Sequence, residues 1–173
     1  MIKEILIKNF MAHSDLSCKD IPAINLVIGR NDTGKTGLLK LLYAAGKTLE
    51  IYSLKKKSGE VSFKKELAEK LQDTFMPRKN SLGELVQKGS KGGLDVNMVF
   101  NVPSYKYKQS VNFSFGEKTE STITHCIDIV EPLPNGDMNV LFIPAKEVLT
   151  AFNDIRSMRE SFYGRGFDDT YFD

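Results

Sequence analysis

Apolar residues recur along the first half of the chain with distinct spacings, and each spacing predicts a type of element. Loose alternation over residues 1–9 predicts a strand, and the apolar run at 24–28 predicts a short buried strand. Helical spacing predicts an amphipathic helix over 35–50, with an apolar face of Leu38, Leu41, Leu42, Ala45 and Leu49. A second helix, ending before Pro77, is predicted by Phe63, Leu67, Leu71 and Phe75.

Loops and one more short helix are predicted between these helices and the second half of the chain. Residues 55–59 are expected to form a basic loop. Ser81 and Glu84 have the spacing of a capping box, which predicts that a short helix starts there. Three glycines then interrupt the regular pattern, namely Gly89, Gly92 and Gly93.

Residues 94–102, 105–115 and 123–129 alternate apolar and polar positions with a period of two, which predicts antiparallel strands with one solvated face. Asn135-Gly136 predicts a hairpin turn, and 140–143 a further buried strand. A short helix is expected around 147–152, before an acidic and aromatic end at 167–173. The whole pattern predicts an α/β fold with an antiparallel β subdomain.

Composition is ordinary for a soluble globular protein, with 41% apolar and 27% charged residues in 173. The sequence has neither a membrane-spanning apolar run nor a signal-peptide pattern, so no membrane association is expected. The net charge of +2 neither requires nor excludes nucleic acid. The two cysteines, Cys18 and Cys126, are expected to be reduced thiols, which favours a cytoplasmic location.

Basic residues cluster locally after the first helix. They are either a phosphate-contacting patch or a solvated helix face with flanking loop lysines. The cluster consists of Lys55, Lys56, Lys57, Lys64 and Lys65, followed by Arg78, Lys79, Lys88 and Lys91.

One segment carries recognisable chemistry, because it matches the P-loop pattern GxxxxGK[ST] at every fixed position. It reads Gly29-Arg30-Asn31-Asp32-Thr33-Gly34-Lys35-Thr36. The glycines let backbone N–H groups approach phosphate oxygens, the lysine brings a positive charge to the β- and γ-phosphates, and the threonine hydroxyl suits Mg²⁺. The alternative, a glycine turn that binds nothing, gives no packing reason for Gly-Lys-Thr at a helix start.

We therefore expect ATP and Mg²⁺ as cofactors. Lys35 and Thr36 are the expected catalytic residues, and Thr36 is the expected Mg²⁺ ligand. The expected nucleotide contacts are Gly29, Arg30, Asn31, Asp32, Thr33, Gly34, Lys35, Thr36 and Gly37.

The P-loop, with Asn31 at its third position, resembles the G-x-N-x-x-G-K-[ST] loop of the SMC, RecF and OLD-nuclease branch of ABC-type ATPases. Residues 7–13, Ile-Lys-Asn-Phe-Met-Ala-His, resemble the I-x-N-F-[RK]-[SA]-H opening of these ATPase heads, although Met11 replaces the usual Arg or Lys. Residues 142–147 and 167–171 resemble bacterial "AAA family" ATPases, some of them in Septu and retron-associated anti-phage systems.

The resemblance implies a P-loop NTPase N-lobe, because the LSGGQ-type signature, an Asp-Glu-ended Walker B strand and a switch histidine are missing. The nearest Walker B candidate, 126–131, is better explained as a meander strand. The predicted organisation is a single lobe over 1–173. It comprises a strand, P-loop and helix core at 1–52, a helical insertion at 53–93, a β meander at 94–143 and a tail at 144–173 that leads to a C-terminal lobe.

Several single residues stay open as candidates. In the resembling heads the loop of His13 and Ser14 approaches the base and sugar of the nucleotide, so His13 is a further expected nucleotide contact, and an ordinary polar turn is the alternative. Gln109 could be a Q-loop residue or a strand residue. Lys146 and Glu147 could act at a strand end or simply start a helix. His125 is expected to be a core histidine; cross-strand packing is favoured over base stacking for Tyr105, Tyr107 and Phe113.

Two functions follow from these expectations. The first is an ATP-binding lobe of an ATPase that hydrolyses MgATP when two heads form a homodimer, coupled to DNA or to a nuclease or other effector protein. The second is a non-catalytic module in which ATP only joins the heads and the work is DNA or effector binding. A GTPase or small-molecule kinase is disfavoured, because the Asn-Lys-x-Asp motif and a lid arginine cluster are absent. The chain alone is expected to hydrolyse ATP poorly.

Overall fold

One antiparallel sheet backed by two helices organises the part of the chain that the structure describes. The computed structural model describes residues 1–55, 62–102, 108–127 and 138–143. The strands are β1 (Ile2–Phe10), β2 (His13–Cys18), β3 (Leu94–Phe100), β4 (Gln109–Phe115) and β5 (His125–Cys126). The helices are α1 (Lys35–Lys55) and α2 (Phe63–Phe75), with short 3-10 turns at Arg78–Asn80 and Leu82–Leu85. This arrangement confirms the predicted α/β class with an antiparallel sheet.

The sheet has the order β2-β1-β3-β4-β5, so the two N-terminal strands belong to the same sheet as β3 to β5. The registers place Ile7 opposite Val96 and Val96 opposite Phe113. These three side chains are fully buried and lie on the helix-facing side. On the other side polar residues face each other, as in the Asn97–Asn112 pair. The period-two pattern therefore separates a core face from a polar face, as predicted.

The two helices pack against each other and against the apolar face of the sheet. The second helix has the predicted residues, Phe63 to Phe75, whereas α1 continues to Lys55. The prediction of a loop beginning at Lys55 was therefore wrong at that residue. Its ammonium pairs with Glu66 of α2 at 2.8 Å, and Tyr52 meets the Phe63 ring edge-on at 5.3 Å. These contacts with α2 hold the last turn of α1 in place.

The predicted capping box after α2 does not form. The Ser81 hydroxyl donates to the Thr119 carbonyl at 3.1 Å, and Glu84 Oε2 accepts from the backbone N–H of Arg78 at 2.8 Å. The predicted short helix is nevertheless present as a 3-10 helix at Leu82–Leu85, which starts directly after Ser81 without a side-chain cap. Its N–H groups at Leu82 and Gly83 bond the chain at 119–120, which docks this turn onto the connection after β4.

The predicted buried strand at 24–28 was wrong. This segment has no regular secondary structure, and the side chains of Ile24, Leu26 and Ile28 are 90%, 84% and 80% exposed. The predicted strand at 140–143 also lacks strand pairing, and Leu141 and Ile143 are exposed. A strand needs a neighbour for its backbone N–H and C=O groups, and the described strands pair with one another instead.

Residues 138–143 nevertheless lie along α1. The Val140 N–H donates to Glu50 Oε2 at 2.8 Å, and the rings of Tyr43 and Phe142 lie 5.8 Å apart. A methyl group on Gly46 would meet Val140 Cγ2 at 3.3 Å, so the small residue permits this close approach. Val140 and Phe142 are therefore half-buried against α1, whereas Leu141 and Ile143 are exposed, so the prediction of a buried segment was wrong.

The structure also tests several predictions about single residues. His125 is exposed, so the expectation of a core histidine was wrong. Phe113 is buried and stacks on Phe115 at 6.2 Å, which confirms packing rather than base stacking at that position. Cys18 and Cys126 are free thiols. Tyr105, Tyr107, Asn135-Gly136 and the predictions for 144–173 lie outside the described residues.

We expect Gly83→Ala to lower the free energy of unfolding by about 1–3 kcal/mol, the usual cost of overpacking. A methyl group at Gly83 would overlap the backbone carbonyl of Glu117, which belongs to the segment docked onto this turn. Urea unfolding followed by circular dichroism measures the change. Gly116→Ala is the matched control, because nothing lies within 4 Å of its added methyl group. Equal unfolding midpoints for the two variants would contradict the close packing of this turn.

Candidate functional site

The glycine-rich loop at 29–36 leads directly into α1, whose first residue is Lys35. This helix has 21 residues, and its first turn carries no acidic side chain. The backbone N–H groups at a helix start have no partners within the helix, and the helix dipole makes this end positive. No carboxylate of the first helical turn therefore competes with an external anion.

The loop backbone is curled by two residues with positive φ. Gly34 has φ of +83°, which glycine adopts freely, and Asp32 has φ of 60°. A hydrogen bond of 2.9 Å from the Thr33 hydroxyl to the Arg30 carbonyl closes the curl. A methyl group on Gly29 would meet Thr33 Oγ1 at 3.2 Å, so a side chain at this position would be crowded.

The Lys35 ammonium folds back over the loop. It donates to the Gly29 carbonyl at 2.9 Å and to the Arg30 carbonyl, and it lies 3.5 Å from Thr33 Oγ1. These three oxygen atoms are uncharged. The loop therefore presents a full positive charge at a helix start, and the partners of this charge among the described residues are uncharged, an arrangement that attracts an anion.

The turn between β1 and β2 supports the loop from another direction. His13 and Ser14, for which an ordinary polar turn was the alternative to a nucleotide contact, are the first residues of β2. His13 Nε2 lies 3.2 Å from the Gly34 carbonyl oxygen. Sequence reasoning assigned His13 a possible role near the base and sugar and missed this contact with the loop backbone.

A nucleotide with Mg²⁺ fits the chemistry of this site. Thr36 follows the lysine and is exposed, so its hydroxyl is accessible to a metal ion. The described residues contain no group of three or more His, Cys, Asp or Glu side chains that could hold a metal by themselves. Mg²⁺ bound by one hydroxyl here would need phosphate oxygens and water as its remaining ligands. Such a ligand set is usual for Mg²⁺ in phosphate sites.

The other predicted candidates do not join this site. Gln109 is the first residue of β4 and lies opposite Phe100 on the helix-facing side of the sheet. Exposed His125 lies in β5 at the far edge of the sheet from β2. Lys146, Glu147 and all but the first two residues of the Walker B candidate lie outside the described residues.

A shallow groove of about 590 Å³ adjoins the β1–β2 turn. Its lining includes Met11, Arg78 and Lys88, with Glu84 as the acidic member. Glu84 Oε2 accepts from the Arg78 backbone N–H at 2.8 Å, and both Arg78 and Lys88 are exposed. Lys55, Lys64 and Lys65, in contrast, contact Glu66, the Thr124 carbonyl and Glu69. The predicted basic cluster is thus divided between two faces.

Among the described residues, no helix combines the length and apolar character needed to cross a membrane.

Comparison with known proteins agrees with the loop chemistry. Two curated relatives match part of the chain, and both are described as "DNA double-strand break repair Rad50 ATPase". The protein of Sulfolobus acidocaldarius is 36% identical over 76 residues, which is 39% of this chain and 9% of that protein. The protein of Archaeoglobus fulgidus is 39% identical over 56 residues, or 32% of this chain and 6% of that protein. The chain thus matches only a small fraction of their lengths.

A much longer match comes from a protein family. The family described as "AAA ATPase domain" matches residues 1–162, which include the glycine loop, both helices and all five strands of the described sheet. The chain belongs to the AAA ATPase domain family.

Proposed function

We propose that this chain is the ATP-binding lobe of an ABC/SMC-like ATPase, and that two such heads hydrolyse MgATP between them. The observation that carries the proposal is the Lys35 ammonium, held over the glycine loop by uncharged oxygens at the start of α1. A triphosphate would supply the negative charge that this arrangement lacks. Membership of the AAA ATPase domain family and the similarity to two Rad50 ATPases support the nucleotide.

Each residue of the loop has a defined task in this proposal. Backbone N–H groups around Gly34 would bind phosphate oxygens, and Lys35 would leave the loop carbonyls to contact the β- and γ-phosphates. Thr36 would contribute its hydroxyl to Mg²⁺, and the ion would neutralise charge on the transferred phosphoryl group. Catalysis would then consist mainly of positioning and charge stabilisation by these groups.

In this proposal, residues outside the glycine loop complete the ATP site. The signature and Walker B motifs of the resembling heads are not recognisable in these 173 residues. The exposed side chains of Ile24, Leu26 and Ile28, immediately before the loop, support a further part of the protein that covers them. The partner head would contribute the signature motif across a homodimer interface. The resemblance of residues 142–147 favours the anti-phage branch, and the two free thiols of Cys18 and Cys126 favour a cytoplasmic protein.

We expect Lys35→Ala to weaken ATP binding roughly 10- to 100-fold, the range for loss of a charge-assisted hydrogen bond. Fluorescence titration with a labelled ATP analogue measures the dissociation constant. Lys65→Ala is the matched control, since it removes the same charge from an exposed position at the start of α2. Unchanged ATP affinity in the Lys35 variant would rule out a role for the loop in phosphate binding.

The isolated chain of 173 residues is expected to bind MgATP and turn it over slowly or not at all. Steady-state phosphate release and nucleotide binding are measured on the same preparation. Rapid turnover would show that these residues contain a complete catalytic site. Binding without turnover, both here and in a protein extended beyond Asp173, would favour the alternative in which ATP only joins the heads.

DNA is the partner best supported by the described surface, ahead of a nuclease or other effector protein. The groove beside Met11 carries the exposed cations Arg78 and Lys88, with Lys79 and Lys91 exposed in the same segment of chain. Glu84 is the acidic residue of the groove lining. The relatives are named as DNA double-strand break repair proteins. The groove also borders the turn that touches the nucleotide loop, which would bring DNA near the ATP site.

Replacing Arg78 and Lys88 together by Gln should weaken duplex DNA binding and flatten its salt dependence. Each phosphate contact contributes about 0.9 to the slope of log K against log salt, so the slope should fall in magnitude by about 1.8. Fluorescence anisotropy at several salt concentrations, with ATP present, gives the slope. Lys19→Gln with Lys65→Gln is the control pair. Lys19 directly follows the end of β2 and Lys65 lies in the first turn of α2, whereas the groove adjoins the start of β2 and the residues after α2. An unchanged slope would exclude the groove as a DNA contact.

A further inference from the structure

The turn between β1 and β2 is in van der Waals contact with the glycine loop and the start of α1. A methyl group on Gly34 would meet Ala12 Cβ at 3.1 Å and His13 Nε2 at 2.8 Å. A methyl group on Gly37 would meet Met11 Sδ at 3.2 Å. Three consecutive residues of the turn region therefore touch the segment that would hold the phosphates.

A hydrogen bond accompanies these contacts. His13 Nε2 lies 3.2 Å from the Gly34 carbonyl oxygen, which can only accept, so Nε2 carries the proton and donates. The same oxygen accepts the Leu38 N–H at 2.9 Å, a backbone bond of the first helical turn. Two donors from different elements thus hold one carbonyl group in place.

The orientation of this carbonyl determines where the next N–H points. In a planar trans peptide the C=O and the following N–H point in opposite directions, and the described backbone has no cis peptide bond. Holding the Gly34 oxygen toward His13 and Leu38 therefore directs the Lys35 N–H away from them, out of the start of α1. That N–H is one of the groups that a phosphate at a helix start would contact.

The histidine ring is itself held by the core. It stacks on Phe10, with ring centroids 6.3 Å apart and planes 5° apart. Phe10 is fully buried and meets the Phe75 ring of α2 edge-on at 5.8 Å. Phe10 and His13 are also paired in the register of β1 and β2. The position of the donor therefore depends on the sheet and on α2.

We infer that His13 is a positioning residue: its Nε2–H orients the Gly34–Lys35 peptide so that the Lys35 N–H faces the phosphate chain of the nucleotide. His13 acts on the phosphates through the loop and makes no contact with the base or sugar. This inference rests on the proposed ATP binding and identifies the part of the ligand that His13 affects.

Two variants of similar length separate the donor from the bulk of the side chain. His13→Gln places an amide N–H the same number of bonds from the backbone as Nε2, whereas His13→Met fills similar space without a donor. Tripolyphosphate, which has neither base nor sugar, is compared with ATP by calorimetry. The Met variant should bind both ligands about 3- to 10-fold more weakly, a factor that corresponds to one neutral hydrogen bond, and the Gln variant should stay within about two-fold of the original protein.

Loss of ATP affinity without loss of tripolyphosphate affinity would overturn the inference, since it would place His13 at the base or sugar. Equal weakening in the Gln and Met variants, or no weakening in either, would overturn the role of the donor. His125→Ala is the control; with two histidines in the sequence, it also assigns their nitrogen NMR signals. In the nucleotide-free protein, His13 should show a protonated Nε2. If the original protein bound neither ligand, ATP binding itself would be contradicted. The NMR signal of His13 Nε2 would still report on the His13–Gly34 contact.

Discussion

The pairing of β1 along both of its edges is the constraint on which the rest of the structure depends. β2 pairs with one edge and β3 with the other. At the end of the strand the backbone of 85–87 adds further bonds, from the Met11 N–H to the Leu85 carbonyl and from the Gln87 N–H to the Asn9 carbonyl. Phe10 is completely buried at this point. The turn that follows therefore leaves the sheet from a fixed position.

Two elements held by the same core meet at the glycine loop. The helix α1 lies on the apolar face of the sheet through residues such as Leu41 and Leu49, which are fully buried. The turn after Phe10 reaches the start of that helix from the strand. Because both are anchored by side-chain packing, which has little freedom in a close-packed core, their relative position is defined before any ligand arrives. Such preorganisation lowers the free energy that phosphate binding must supply to order the site.

The elements that sequence patterns predicted well are those whose partners lie within the described chain. The helix Phe63–Phe75 follows from its own apolar spacing, and β3 follows from alternation because β1 and β4 lie on either side of it. The loop at 29–36 follows from backbone and charge chemistry, which is local. Periodicity failed where a distant partner decided the outcome. The Ser81 hydroxyl bonds Thr119 instead of capping the helix that follows it, and His125 is exposed because it lies opposite Ser114 on the polar side of the sheet.

The contact between His13 and Gly34 was beyond sequence reasoning for a related physical reason. It joins residues 21 positions apart, and it requires the register of β1 and β2, the left-handed conformation of Gly34 and the start of α1 to be known together. No short motif encodes such a combination. The histidine could be identified as a candidate from its resemblance to the ATPase heads, but only the fold distinguishes a nucleotide contact from a contact with the loop that binds the nucleotide.

The two ends of the loop differ in how firmly the described residues hold them. Its exit into α1 is held by the helix, by His13 and by the packing of Met11 on Gly37. Its entry follows Ile24, Leu26 and Ile28, whose side chains are almost fully exposed. Full burial of three such side chains would contribute about 5–9 kcal/mol, more than enough to couple the loop to whatever covers them. A covering strand would also pair the backbone immediately before Gly29. Control over the nucleotide would then act at the entry of the loop, because its exit is already determined by the sheet.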